Sequence, residues 1–211
     1  MSASDRPEPD LDELRRLIRE EALGVDLALP EDAVERLIRF ASLFLRWNER
    51  INLASVSTAK ELVERHFLDS YVASRFVPPG GRLVDVGSGG GLPALPLAAV
   101  RGDVAMECFE PIHKKGAFLR TAVRELDLGG RVGIHDVAIQ RPLSALLSKD
   151  ADVAMSRATF EPAAWLELGR ELIRSGGRVL VFATGHSEGV LPEPIEAISY
   201  GRNRRLLSYG G

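Results

Sequence analysis

The feature that most limits what this chain can become is a change of hydrophobic rhythm near residue 80. Before it, apolar residues recur at helical spacing: Leu11, Leu14, Leu17 and Ile18 form one stripe, and Val34, Leu37, Ile38, Ala41, Phe44, Leu45 and Trp47 form a second. Thr58, with Glu61 three residues on, predicts the N-cap of a third helix running to near Phe76. From Arg82 onward, β-rich runs (LVDVG, VAMECFE, RVGIHDV, DVAMS, RVLVFA) alternate with helical segments such as KKGAFLRTAVRELDL and EPAAWLELGRELIRS. That alternation builds βαβ units and hence a mostly parallel, doubly wound sheet. At the chain end, Ile195–Tyr200 and Arg204–Tyr209 read as strands joined by a turn at Gly201. No helix fits between them, so this last pair is expected to be antiparallel.

With 211 residues, 45% hydrophobic and 27% charged, the chain can bury a sizeable core, which excludes a disordered tail or a disulfide-stapled miniprotein. No apolar run approaches the roughly 20 residues that cross a bilayer, and the opening MSASDRPEPD is acidic and Pro-rich, unlike a leader. Cys108 is the single cysteine, so neither an internal disulfide nor a multi-thiolate metal site is available. The expectation is a cytoplasmic protein with no membrane segment and no metal. The net charge of -3 is unevenly spread: residues 1–40 carry -5 and the rest +2, and the closing GRNRRLLSYGG holds Arg202, Arg204 and Arg205 without an acid. A polyanion would therefore bind the later part of the chain.

LVDVGSGGGLP is a buried strand ending in a turn with Gly87, Gly89, Gly90 and Gly91 and opening onto a helix near Leu92–Pro93. Such a turn lets a ligand approach the backbone beside a helix N-terminus. The dinucleotide fingerprint would need glycine at position 92, where Leu92 stands, and there is no Walker lysine. An adenosine ligand without a pyrophosphate, S-adenosylmethionine, has no such requirement. Glu110, at the tip of the second strand, can accept hydrogen bonds from both ribose hydroxyls, a device that NAD sites share. Asp85, inside the first strand, either orients the methionine amino group or pairs structurally.

WNERINLASVSTAKELVERHFLDS, LVDVGSGGGLPALPLA, EPIHKKGAFLR and MSRATF together resemble the RsmG (GidB) family, which methylates N7 of a guanine in 16S ribosomal RNA. The likeness runs from about Ala33 to the C-terminus. It implies a Rossmann-like class I S-adenosylmethionine-dependent methyltransferase fold, a mostly parallel seven-stranded sheet ending in an antiparallel hairpin. An N-terminal helical segment over residues 1–77 would pack on a methyltransferase domain over 78–211, as one structural unit. The resemblance places Gly87 and Leu92 at the cofactor, joining Asp85, Ser88, Gly89 and Glu110 of the loop reading, with Val137 and Ala138 beside the adenine and Arg157 at the methionine end. His66, Lys114, Lys115, Arg204 and Arg205 fall where RNA contacts are expected. Without the family, Arg65 and Asp69 read as an i,i+4 helix pair, His66 as a packed histidine and Trp47 as core. The chain departs from the family pattern at Asp136-Val137-Ala138, where an arginine is usual, and at Thr184-Gly185, where Lys-Gly is usual. Asp136 is an alternative acceptor for the adenine amino group.

Guanine N7 carries no proton, so methyl transfer to it needs alignment rather than a general base, and no catalytic acid–base pair is expected. Arg157 is a candidate orienting group, donating either to the methionine carboxylate or to guanine O6. Cys108, in a buried strand, does not suit the nucleophile of cytosine-carbon methylation. The expected partner is 16S rRNA or a small-subunit precursor, bound by a monomer. The competing readings are an NAD(P)-dependent oxidoreductase and an inactive ribosome-associated binding module.

Overall fold

The computed structural model describes residues 10–141, 149–184 and 191–211. Its first half is helical: α1 (Leu11–Leu23), α2 (Glu31–Ile51), then α3 (Ala59–Leu62), which runs through a π turn at Val63–Phe67 into α4 (Leu68–Ser74). The Asp10 carboxylate caps α1 by accepting from the Asp12 and Glu13 amides. The expected N-cap forms at Thr58: its hydroxyl accepts from the Glu61 amide, and the Glu61 carboxylate reaches back one residue beyond the cap to accept from the Ser57 amide. The predicted third helix is thus present, but it ends at Ser74 and carries a π turn that hydrophobic spacing does not reveal. Leu11, assigned to the first stripe, is 54% exposed, because α1 meets its neighbours through Leu14, Ile18 and Ala22.

The second half alternates as expected: β1 (Arg82–Val86), α5 (Ala94–Val100), β2 (Ala105–Phe109), α6 (His113–Glu125), β3 (Val132–His135), β4 (Ala151–Ser156), α7 (Pro162–Arg170), β5 (Ile173–Thr184), β6 (Glu196–Tyr200) and β7 (Arg204–Gly210). The strands lie in the order β3-β2-β1-β4-β5-β7-β6. All neighbours run parallel as far as β5, and β7 pairs antiparallel with both β5 and β6. One boundary differs from expectation. The segment read as helical through Ser175 leaves the helix at Arg170, since buried Leu172 and Ile173 are needed by the sheet. The register then shifts between Ala151 and Val153, across from Gly176 (φ 77°) and Gly177.

Successive strand residues face opposite sides, and each side has its own helices. Leu83, Met106, Cys108 and Met155 join one core with α1 to α6, whereas Val86, Phe109, Val179 and Val181 join the other with α7. The larger core is knitted by aromatic rings from both halves of the chain. Phe118 of α6 packs on Phe40 and Phe44 at 6.3 and 5.9 Å, and on half-buried Trp47 at 5.6 Å. Each fully buried phenylalanine contributes about 1.5–3 kcal/mol. On the other face, Trp165 stacks on Phe160 and donates its indole N–H to the Leu180 carbonyl at 2.8 Å. Among the described residues, no helix is long and apolar enough to cross a membrane.

Candidate active site

Strand order reverses between β1 and β4, and at such a switch point the loops leaving the two strands diverge and open a crevice. The cleft here has a volume of about 360 Å³, suited to a nucleoside-sized ligand. Its walls are the glycine loop after β1, Glu110 after β2, Lys115 on α6, and Arg157 to Thr159 after β4, with Leu53 and Ala54 closing one side.

The glycine loop is shaped by backbone chemistry. Gly87, Gly89 and Gly91 have φ of 75°, 56° and 73°, in the left-handed region that side chains disfavour. The Gly87 and Ser88 amides both donate to the Phe109 carbonyl, at 2.8 and 3.1 Å, tying the loop to β2. A side chain at Gly87 would collide with Thr159, and one at Gly90 would meet the Phe44 ring at 2.7 Å. The N-terminal helices therefore press directly on the back of this loop. Glu110, 3% exposed, braces its front: Oε2 accepts from the Gly89 amide at 2.7 Å, and Oε1 from the Ile112 amide at 2.8 Å. A carboxylate oxygen can accept more than one hydrogen bond, so each retains capacity for a ligand hydroxyl.

Beneath the loop, Asp85 is fully buried, and its Oδ2 has no hydrogen-bond partner among the described residues. Burial pushes its carboxyl up to about 7, against the opposing pull of Ser88 and Arg157. An orphaned buried carboxylate beside a cleft is suited to a cationic ligand group. Cys108, its register partner on β2, is also buried, and burial raises its thiol well above the ordinary range. That is the inert state expected of it.

The Leu53–Ala54 wall depends on Asn48, which sequence reasoning passed over. Its Oδ1 accepts from the Leu53 and Ala54 amides, and its Nδ2 donates to the Ala54 and Val56 carbonyls, all at 2.6–2.9 Å. Asn52 takes a left-handed φ of 53° to make that turn.

On the far side, Arg157 Nη1 donates to Asp69 Oδ2 and to His66 Nδ1, both at 2.7 Å. His66 is held near pKa 3, first by burial and then by surrounding arginines, so the neutral ring accepts this hydrogen bond. Asp69 does not pair with Arg65 as an i,i+4 reading predicts. Its side chain, 6% exposed, points inward to Arg157 and Arg204, while Arg65 stays on the surface.

Of the residues expected at the cofactor, the cleft gathers Gly87, Ser88, Gly89, Leu92, Glu110 and Arg157. Asp85 lies behind its wall. Val137 and Ala138 are exposed beyond the end of β3 and are not part of the wall. Asp136 is paired through Oδ1 with Arg120 at 2.8 Å, which holds its carboxyl below the ordinary range. Of the expected RNA contacts, Lys115 lines the cleft and Lys114 is exposed beside it. The two arginines of the terminal strand do not form one patch. Alternation along β7 sends Arg204 to the face of Leu206 and the N-terminal helices, and Arg205 to the face of Leu207 and α7. Arg204 is turned into the fold, donating to Asp69 and to the Arg65 and Glu64 carbonyls. Thr184 ends β5 opposite Arg204, and Gly185 lies outside the described residues. Thr159, which seats against Gly87, and Ala158, with φ 57°, are wall residues missed within the SRAT turn.

This strand order, with a glycine cradle after β1 and an acid closing β2, defines a Rossmann-like methyltransferase that uses S-adenosylmethionine. The fold is similar to that of TYW2 from P. horikoshii, solved in complex with MeSAdo, with a TM-score of 0.54 at 13% identity over 68% of this chain and 61% of that one. The chain belongs to the rRNA small subunit methyltransferase G (GidB) family, whose sequence model matches residues 33–194. It is 40% identical over 162 residues to the ribosomal RNA small subunit methyltransferase G of Anaeromyxobacter dehalogenans (strain 2CP-C), covering 75% of this chain and 74% of that protein. The protein of the same name from Halorhodospira halophila is 36% identical over 181 residues, 85% of this chain and 82% of its own length. Neither alternative reading gains support, and Leu92 is buried in the core where a dinucleotide site requires a glycine.

Proposed function

We propose that the protein transfers the methyl group of S-adenosylmethionine to N7 of a guanine in 16S ribosomal RNA. The observation that carries this reading is the convergence of the Gly87–Gly91 cradle, the braced Glu110 and the tethered Arg157 on one cleft. When bound, the cofactor supplies a methyl group on a sulfonium, which an aromatic lone pair can attack without prior deprotonation.

The residues then have separable tasks. Gly87 and Gly89 let the backbone approach the ligand closely, and Glu110 accepts from the ribose hydroxyls with its remaining lone pairs. Such charged hydrogen bonds are worth about 1.5–3 kcal/mol each. Asp85, ionised, offers charge to the methionine amino group. Arg157 donates to the guanine O6 or to the methionine carboxylate, fixing the reactants in line. Orientation of this kind supplies on the order of 7–11 kcal/mol without proton transfer, consistent with a site that needs no general base. Lys114, Lys115 and Arg205 contact RNA phosphates, and His66 and Arg204 act from behind, through Arg157 and Asp69.

The chain works as a cytoplasmic monomer and folds as one unit, with residues 1–77 and 78–211 sharing a core. Mass mapping of guanine methylation in 16S rRNA, with and without the gene, tests the activity. An unchanged map would overturn it, and light scattering tests the monomer.

A further inference from the structure

Asp69 is a buried carboxylate that joins three parts of the chain distant in sequence. Its Oδ2 accepts from Arg157 Nη1 at 2.7 Å. Its Oδ1 accepts from the Tyr200 hydroxyl and from Arg204 Nη1, both at 2.9 Å. Arg204 is itself fixed three further ways: Nη1 donates to the Arg65 carbonyl at 2.6 Å, Nη2 to the Glu64 carbonyl at 3.2 Å, and its guanidinium lies 5.1 Å from the Tyr200 ring centroid. Glu64 and Arg65 belong to the π turn, where the widened backbone spacing presents carbonyls to an outside donor. The same π turn carries His66, the second acceptor of Arg157.

The effect on Arg157 is specific. Among the described residues its hydrogen bonds all run from Nη1, so Nε and Nη2 remain for whatever enters the cleft. An arginine left to itself samples many rotamers, and ordering it at the moment of reaction costs side-chain entropy. Held by one nitrogen, it presents the other edge of its rigid fork in a single orientation.

We propose that Asp69 is the positioning residue for Arg157, and that the terminal hairpin, through Tyr200 and Arg204, sets the Asp69 carboxylate. This rests on the methyltransferase reading and adds a part that touches neither cofactor nor RNA. The carboxylate fixes the edge of Arg157 that faces the reactants, and the π turn and the hairpin are the supports that hold it still.

The test uses the full-length protein with Asp69→Asn and Tyr200→Phe. A misplacement of about 1 Å costs roughly 100-fold in rate, so Asp69→Asn is expected to lower the single-turnover methylation rate by about that factor at saturating S-adenosylmethionine and RNA. With the free edge of Arg157 directed at guanine O6, affinity for S-adenosylhomocysteine and the salt dependence of RNA binding should stay at wild-type values. Side-chain nitrogen NMR should show the Arg157 guanidinium restricted in the wild type and more mobile in Asp69→Asn, where His66 Nδ1 is the remaining acceptor. Tyr200→Phe removes one hydrogen bond and should lower the rate several-fold without loss of the fold. If Asp69→Asn does not fold, Tyr200→Phe decides alone by the same rate and NMR readouts. A folded variant with wild-type rate and a restricted Arg157 overturns the proposal, as does a loss of cofactor affinity equal to the loss of rate. A wild-type protein that does not methylate RNA overturns the functional reading instead, while the NMR comparison still judges the tether.

Discussion

The two sides of the cleft are made by opposite means. The glycine side is backbone: positive-φ residues, amides shared with the Phe109 carbonyl, and one carboxylate, all between Gly87 and Ile112. The arginine side is a network of ionic and polar side chains in which Asp69 meets partners 88 to 135 residues away. Backbone cradles bind a ligand common to many enzymes, because every chain has amides to offer. Side-chain networks assembled from distant segments set what is particular to one enzyme. The comparison predicts that damage on the glycine side appears in cofactor affinity, and damage on the arginine side in rate.

The largest expected effect tests whether the glycine side stands alone. Phe44 is fully buried, packs on Phe40 and Phe118, and lies against Gly90. Phe44→Ala should cost about 3–5 kcal/mol of stability. If the N-terminal helices and the sheet form one unit, thermal unfolding remains a single transition at lower temperature and cofactor affinity falls with it. Two separated transitions in calorimetry would divide the chain near residue 77.

Next in size is Glu110→Gln. The sequence suggested a carboxylate that can accept from the ribose hydroxyls, and this one also braces the Gly89 and Ile112 amides. The amide variant keeps the size but loses the charge, and it turns one accepting oxygen into a donor, so only one of the two braces survives. Weakening charged hydrogen bonds worth about 1.5–3 kcal/mol each should reduce S-adenosylmethionine affinity tenfold or more by calorimetry, with the methylation rate at saturation little changed. Wild-type affinity would remove Glu110 from the ribose.

What was legible beforehand follows the same division. The glycine loop, Glu110, the Thr58 cap and the closing hairpin are each written within a dozen residues, so spacing and turn chemistry reveal them. The π turn leaves the hydrophobic stripe intact and carries no local mark. The inward rotation of Asp69 depends on arginines that only the folded sheet brings near, so an i,i+4 rule paired it with Arg65. Arg204 and Arg205 read as one basic patch until strand alternation separates them. Asn48 stands inside a motif quoted for its family likeness, yet its four hydrogen bonds to a turn ahead of it are visible only in three dimensions.

Asp85 gives a pH test of the glycine side. Its folded pKa, about 7, lies above the ordinary 3.8, so its contribution to stability is fully present below 3.8 and is lost as pH rises through 7. A ligand ammonium requires the ionised form. Below pH 7 binding must therefore expel a proton, and affinity should fall toward tenfold per pH unit, about 1.4 kcal/mol at each step. Asp85→Asn should flatten that slope and weaken binding at pH 8. A wild-type affinity already independent of pH between 5.5 and 8 would place the methionine amino group elsewhere.

The smallest effect separates RNA contact from fold by sign. Lys114 and Lys115 sit in the first turn of α6, whose Ile112 N-cap offers no side chain, so two cations face the positive end of the helix. This placement costs the fold about 0.3–1 kcal/mol per charge at low ionic strength. Lys115→Ala should thus leave stability unchanged or slightly raised, while the slope of log affinity for RNA against log salt becomes shallower by about 0.7. Lys114→Ala should do the same, and the double variant should add the two. Should Lys115→Ala weaken cofactor binding and leave the salt slope alone, Lys115 belongs to the backbone-built side of the cleft, and the RNA path must be sought across the opposite rim, beside Arg205.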